Sequence, residues 1–526
     1  NTTGANNVAV GRLAADANTT GTFNTAVGQN SLGTNTTGDQ NVAIGSGSLY
    51  SNTTADNNTA VGQNSLFSNT TGTSNVAIGR ESLCDNTTGT GNTGLGANAL
   101  EKVITGSCNT GIGRNSLFKN TADNNTAVGY YSLICNTTGT QNVALGVAVK
   151  ANTTANNNIG IGYDALCVNQ TGNANVAIGT DSLRNNTVGN NTAVGYTALA
   201  ANTTGGFNTS IGSCSLNANQ TGASNVALGF RSLKLNTANS NTAIGKDALQ
   251  SNTSGTSNVA VGDSALDANT TASANTAIGA SALKANTTGA DNTATGWCAL
   301  AANTTGLENT AVGARSLPNN TTANYNTSIG KDSMFYNTTG ANNTAVGRKA
   351  LEDNTTGSDN TALGFGSLAQ TTTGSSNIAV GVSSLGSHTT GSNNTAVGGG
   401  VGYELTTGSN NLFLGKEAGR AASPSGAITT QSNRIVLGNN SITNAYIKVA
   451  WTVTSDLRDK TNFGTVPHGL DFVNKLEPVS FQFKKSREDD TPHGDVRYGF
   501  KAQDIMALEG DNPVIIDNEQ PDHLKY

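Results

Sequence analysis

Apolar and polar residues follow a short pattern that returns about every 17 residues along most of the chain. One whole copy is Asn24–Gln40, which reads Asn-Thr-Ala-Val-Gly-Gln-Asn-Ser-Leu-Gly-Thr-Asn-Thr-Thr-Gly-Asp-Gln, and copies continue to about residue 415. Thr25 and Val27 share one side of an extended segment and Ala26 lies on the other, which is the two-residue period of a β-strand. A fixed period of this length predicts a stacked array, because several globular domains would not share one repeat.

Each copy is predicted to form one coil of a parallel β-solenoid. We expect Val27 and Leu32 to point into the coil, with a bend at Gly28 and a second short strand around Ser31-Leu32. The Asn-Thr-Thr-Gly tetrad at 35–38 has the composition of a turn and would close the coil. In four places the period drops to 16, and the missing residue falls near this turn, so strand register is expected to continue.

A single coil of this kind buries few apolar side chains, which is little against an ordering cost of about 1 to 2 kcal/mol per residue. Ala26 and its equivalents lie opposite the expected coil interior and would permit close approach of another chain. We therefore predict a homotrimer around a common axis, with a monomeric solenoid as the alternative.

The sequence Asn-Val-Ala-Ile-Gly at 41–45, followed by Ser48-Leu49, resembles the head repeats of trimeric autotransporter adhesins. The resemblance covers about four fifths of the chain. It implies that each chain forms a left-handed parallel β-roll and that three rolls pack together.

Composition and charge limit the function classes. The net charge of −6 is spread over 526 residues without a basic face, which argues against nucleic acid as a partner, and no apolar run is long enough to span a membrane. The six cysteines never form a Cys-x-x-Cys pair, so we predict isolated thiols, no metal site and no cofactor. Charged residues after the strand glycine, such as Glu81, Lys246 and Arg348, indicate a solvated rim, with a ligand groove as the alternative.

The composition changes at residue 455. Of the 28 Lys and Arg and 34 Asp and Glu, 23 lie in 455–526, together with five of the seven prolines. We therefore predict a repeat solenoid over 1–420, a β neck over 421–454 that includes a strand at 433–438 and another at 445–451, and a separate small α+β domain over 455–526. In that domain we expect helices within 470–476 and up to Gly510, and strands at 479–484 and 513–516.

Four ordered blocks in this last domain resemble the intramolecular chaperone of endosialidase tailspikes. They are Ser455–Lys460, Gly469-Leu470, Leu476–Val479 and Gly499–Asp504. The resemblance implies a domain that trimerises the preceding chain and then cuts itself off, with Ser455 as nucleophile, Lys460 as base and Thr454–Ser455 as the scissile bond. It also implies further C-terminal helices, so we expect 455–526 to be an incomplete copy. The alternative is an uncleaved folding clamp in which Ser455 caps a turn.

These observations favour a trimeric virion fibre, such as a phage tail fibre, that attaches to a host cell-surface receptor, either a glycan or a surface protein. The expected location is the virion, outside the cell. A cell-surface adhesin is the second hypothesis. An enzyme acting on external substrates is disfavoured because the repeats offer no paired carboxylates.

Overall fold

The computed structural model describes residues 2–445, 469–484 and 490–509. The chain divides into two units, Asn1–Asn309 and Thr310–Tyr526. Both contain the predicted parallel β-solenoid of repeating coils, and the second also holds the C-terminal α+β segment.

Each coil contributes one strand of three residues. In the first unit the strands are β1 Val8–Val10, β2 Thr25–Val27, β3 Val42–Ile44, β4 Thr59–Val61, β5 Val76–Ile78, β6 Thr93–Leu95, β7 Thr110–Ile112, β8 Thr126–Val128, β9 Val143–Leu145, β10 Ile159–Ile161, β11 Val176–Ile178, β12 Thr192–Val194, β13 Thr209–Ile211, β14 Val226–Leu228, β15 Thr242–Ile244, β16 Val259–Val261, β17 Thr276–Ile278 and β18 Thr293–Thr295. In the second unit they are β19 Thr310–Val312, β20 Thr327–Ile329, β21 Thr344–Val346, β22 Thr361–Leu363, β23 Ile378–Val380, β24 Thr395–Val397, β25 Leu412–Leu414 and β26 Ile435–Leu437.

Neighbouring strands pair in parallel and keep strict register. Ala26 lies opposite Ala43, and Val27 lies opposite Ile44. Where the period is 16, the register still holds, since Thr110 pairs with Thr126. β26, the strand predicted at 433–438, pairs with β25 in register across the longer loop between them. The prediction that the 16-residue coils keep the strand register is confirmed.

The strand ends at a glycine that no other residue could replace without movement. Gly28 has φ of +134°, and a Cβ placed on it would come 2.6 Å from the carbonyl oxygen of Gly45 in the next coil. The close stacking of coils and the positive φ therefore both require glycine here, and the predicted bend is confirmed.

The predicted orientation of the strand is wrong. Ala26 is fully buried inside the coil, whereas Val27 is only half-buried and Ile44 in the next coil is exposed. The reason is space. The inner position holds alanine, glycine or serine in every strand from β1 to β24, as at Ala26, Gly94 and Ser210. It takes a larger side chain only at Phe413 and Val436, in β25 and β26.

The predicted second strand around Ser31-Leu32 is also wrong, because this stretch is a turn. Leu32 is fully buried, as predicted, but it reaches the interior through a left-handed backbone conformation with φ of 51°. That conformation costs roughly 1–2 kcal/mol for a residue with a side chain. Burial of the leucine contributes about 1.5–3 kcal/mol, which offsets this strain in each coil.

The C-terminal segment contains α1 Leu470–Val473, β27 Val479–Lys484, β28 Pro492–Gly499 and α2 Ala502–Glu509. β27 and β28 form an antiparallel pair. Phe472 of α1 and Ile505 of α2 are buried, with Leu476, Phe500 and Met506 packed around them. The predicted helices and the strand at 479–484 are confirmed, whereas the strands predicted at 445–451 and 513–516 lie outside the described residues.

Candidate functional surfaces

The inverted strand orientation gives the solenoid an outward-facing row of β-branched and aliphatic side chains. We call this surface, in each unit, the strand face: the first and third residues of the strands, β1 to β18 in the first unit and β19 to β26 in the second. Val27, Ile44 and Val61 follow one another along it in register. The third position is 45% exposed at Leu145 and 58% exposed at Val10, in the first strand. Threonine holds the first position in most strands, so the apolar part of the strand face is the row at the third position. A regular apolar row of this kind is typical of an interaction site.

Inside the coil, the asparagine that precedes each of the strands β1 to β25 belongs to an amide ladder. The Oδ1 atom of Asn24 accepts the backbone N–H of Asn41 at 2.9 Å, and the Nδ2 of Asn41 donates to the carbonyl of Ala55 at 2.8 Å. Both asparagines are buried. The ladder therefore satisfies backbone groups that the short strand leaves unpaired.

A second amide ladder runs through the Asn-Thr-Thr-Gly turns. The Nδ2 of Asn52 donates to Oδ1 of Asn35 at 2.8 Å and to the carbonyl of Ala55, in its own turn, at 3.0 Å. The predicted turn is confirmed. The sequence showed the asparagine as a turn residue, but gave no sign that its side chain would be buried and paired with the next coil.

This second ladder is interrupted where the asparagine is replaced. Val103 stands at the ladder position of its coil, and the Oδ1 of Asn86 before it has no hydrogen-bond partner. Thr371 follows Asn354, whose Oδ1 also lacks a partner. The next position is His388, whose Nδ1 lies 3.2 Å from the Thr371 hydroxyl. Burial lowers the pKa of His388 to about 4, so the ring is neutral at pH 7.

The cysteines are isolated, as predicted. All six are free thiols. Burial, followed by the neighbouring Asp85, raises the pKa of Cys84 to about 11, which leaves that thiol protonated and unreactive at neutral pH.

Within the part of the chain that the structure describes, no group of His, Cys, Asp and Glu residues is arranged to hold a metal ion. No described helix has the length and apolar character needed to cross a bilayer. Charged rim residues pair locally, as in the two hydrogen bonds of 2.7 and 2.8 Å between Arg231 and Asp247.

The predicted self-cleavage residues Ser455 and Lys460, with the bond from Thr454 to Ser455, lie outside the described residues. The described neighbours of that region are the helices and strands from Leu470 onward, whose small core centres on Phe472 and Ile505.

The fold defines the first 437 residues as a repeat β-solenoid protein. Residues 455–513 match the family model described as chaperone of endosialidase. No curated protein and no solved structure matches the chain. A solenoid followed by an endosialidase-type chaperone segment fits a fibre-like structural protein that carries its own intramolecular chaperone, which agrees with the resemblance noted at Ser455–Lys460 and the three later blocks.

Proposed function

We propose that this protein is a homotrimeric virion fibre, of the phage tail-fibre kind, that attaches to a host cell surface. The observation that supports it most directly is the combination of a long repeat solenoid with the chaperone match at 455–513. The virion is its expected location, and a receptor on the host surface is its expected partner.

The surface that joins the three chains in this proposal is the strand face. The trimer predicted from the sequence used Ala26, but Ala26 is sealed inside its own coil. The outward rows at Val27 and Ile44 instead offer apolar area to a second copy in every coil. Burying such rows would add the stabilisation that a coil with one leucine and one alanine inside lacks.

Charge on the strand face tests this assembly. Ile78→Lys combined with Leu95→Lys places two ammonium groups where the chains would meet, and each unpaired buried charge is strongly unfavourable. We expect the purified protein to shift from trimer to monomer in light scattering coupled to size exclusion. The control Thr71→Lys combined with Thr88→Lys adds the same charge at two exposed turn positions and should remain trimeric. A wild-type protein that is already monomeric would contradict the trimer itself.

Register is the problem that a C-terminal chaperone would solve. The coils bury almost the same residues, so two chains displaced by one coil would lose little contact energy. Alignment from one end removes this ambiguity. Expression of 1–454 beside 1–526 tests the role: we expect the shorter chain to aggregate or misassemble, and equal yields of soluble trimer from both would rule the chaperone role out.

Self-cleavage is the remaining part of the proposal. The hydroxyl oxygen of Ser455 would attack the carbonyl carbon of Thr454, with neutral Lys460 accepting the hydroxyl proton and passing it to the Ser455 nitrogen as that C–N bond breaks. Water then hydrolyses the resulting ester to a Thr454 carboxylate and a free Ser455 hydroxyl. Ser455→Ala should leave one full-length band on a denaturing gel where the wild type gives two. Unchanged processing in that variant would exclude Ser455 as the nucleophile.

A further inference from the structure

One row of side chains on the first unit carries aromatic rings on alternate coils. It consists of the residue directly after each strand glycine, one per coil. We call its central part the aromatic row, which holds the rings Tyr130, Tyr163, Tyr196 and Phe230, in the coils of β8, β10, β12 and β14, separated by Val147, Thr180 and Ser213. Trp297 holds the same position in the coil of β18, which is four coils beyond Phe230 and again an even-numbered strand.

The spacing keeps the rings apart. Adjacent strands of a sheet lie about 4.8 Å from each other, so rings two coils apart are separated by about 10 Å. Rings on consecutive coils behave differently: Tyr50 and Phe67 stack on each other, with centroids 5.2 Å apart and planes within 13°. In the aromatic row the intervening small side chains cannot cover the rings, which are between 44% and 59% exposed.

Two of the four rings have a cation over one face. The Nζ of Lys150 lies 5.6 Å from the centroid of Tyr163 and 2.6 Å from the Asp164 carboxylate. The Arg231 guanidinium lies 4.7 Å from the centroid of Phe230 and is held by Asp247. The aromatic row therefore alternates apolar ring faces with hydrogen-bonding groups, and it is not the contiguous apolar patch that a protein or lipid partner would cover.

We propose that the aromatic row binds an extended, β-linked polysaccharide, with one disaccharide unit for every two coils. Sugar rings present an apolar C–H face and a rim of hydroxyls, which suits a ring to stack on and a charged or hydroxyl group beside it. A separation of about 10 Å between rings is close to the length of a disaccharide in such a chain. This inference specifies the class of ligand for the attachment role proposed above. It rests on that role only in assuming that the solenoid meets a cell surface.

Titration calorimetry of the full chain with defined oligosaccharides tests the proposal. Cellohexaose and chitohexaose, which can reach three rings, should bind at least tenfold more tightly than their disaccharides, while maltohexaose, whose α-linkages curve the chain, should not bind. Tyr163→Ala and Tyr196→Ala should each weaken the binding of the preferred hexaose at least tenfold. Phe207→Ala removes an exposed ring outside the row and should leave binding unchanged.

Moving one ring to a neighbouring coil distinguishes the effect of ring spacing from the effect of ring number. Tyr163→Thr combined with Thr180→Tyr keeps the composition but moves one ring to an odd coil, and should weaken hexaose binding as much as Tyr163→Ala does. Equal binding by the swapped protein would overturn the proposal, as would the absence of saturable binding of either β-linked hexaose to the wild type. A change of oligomeric state in the alanine variants would also overturn it, since the rings would then contact another copy. Hexaose binding by a monomeric or uncleaved chain would support this inference while contradicting the assembly or cleavage proposed above.

Discussion

The solenoid and the C-terminal segment bury their apolar side chains in different ways. Every coil seals one leucine and one alanine or its equivalent, and contacts only the coils before and after it, so the same small core is repeated many times. In the described part of the C-terminal segment, burial is concentrated in Phe472 and Ile505, while Leu470 and Tyr498 are 74% and 85% exposed. Damage to the solenoid should therefore stay local, as in a one-dimensional array, whereas damage to the segment should affect all of it.

The largest effect is expected from the C-terminal core. Phe472→Ala should destabilise the segment by about 3–5 kcal/mol, because it removes one of the two apolar side chains that are buried among the described residues of the segment. Hydrogen exchange should show loss of protection across 479–509 and unchanged protection in the coils. Leu470→Ala, on the same helix but exposed, is the matched control. Retained protection in Phe472→Ala would show that residues outside this cluster hold the segment together.

Acid should loosen the solenoid at one place. His388 is neutral in the folded chain, with its pKa lowered by burial from 6.5 to about 4, so the unfolded state binds more protons between these values. Local stability is complete above pH 6.5 and falls as the pH drops, by about 1.4 kcal/mol per unit and about 3 kcal/mol in total by pH 4.

Hydrogen exchange at pH 7.5 and 4.5 measures this effect in the coils from 371 to 408. Coils between 24 and 75, which contain no histidine, serve as the internal reference. His388→Asn restores the amide at that position and should remove the difference. Equal acid sensitivity in the variant would mean that carboxylates, not this ring, are responsible.

A smaller effect should distinguish the two sides of one strand. Ala177→Val overfills the interior and should cost about 1–3 kcal/mol. Val176→Ala, one residue earlier on the strand face, should change the stability of an isolated chain by no more than about 0.5 kcal/mol. Thermal unfolding of both variants at a concentration where the chains are monomeric compares them. If Val176→Ala destabilised the chain more than Ala177→Val, the result would support the strand orientation expected from the sequence.

The smallest expected effect is a gain in local stability. Val103→Asn should give the Oδ1 of Asn86 the donor that it lacks and raise local stability by about 1 kcal/mol. Chemical unfolding monitored by hydrogen exchange around 86–120 is the measurement. Val103→Thr, which is closer in size but too short to reach the neighbouring amide, is the control. A loss in the asparagine variant would indicate that the valine packing outweighs the missing hydrogen bond.

Much of the fold was predictable because it depends on spacing. The bend at Gly28, the turn at 35–38, the buried Leu32 and the register across the 16-residue coils all follow from residue types at fixed intervals. The buried amide ladders were not predictable, because the pairing of Asn35 with Asn52 requires knowledge of which side chains point inward in consecutive coils. The self-cleavage pair Ser455 and Lys460 remains a prediction from resemblance.

The sequence by itself determined that the chain coils, where each coil turns and where the composition changes at residue 455. Only the tertiary structure decided which side of the strand faces inward. A two-residue period separates Ala26 from Val27 but does not say which of them is inside, and the larger residue was the natural expectation. Steric limits reversed it: in most coils a leucine and two asparagines occupy the interior, so a small residue such as Ala26 fits beside them and the β-branched residues remain outside. Only the last two strands place a larger side chain inside, at Phe413 and Val436.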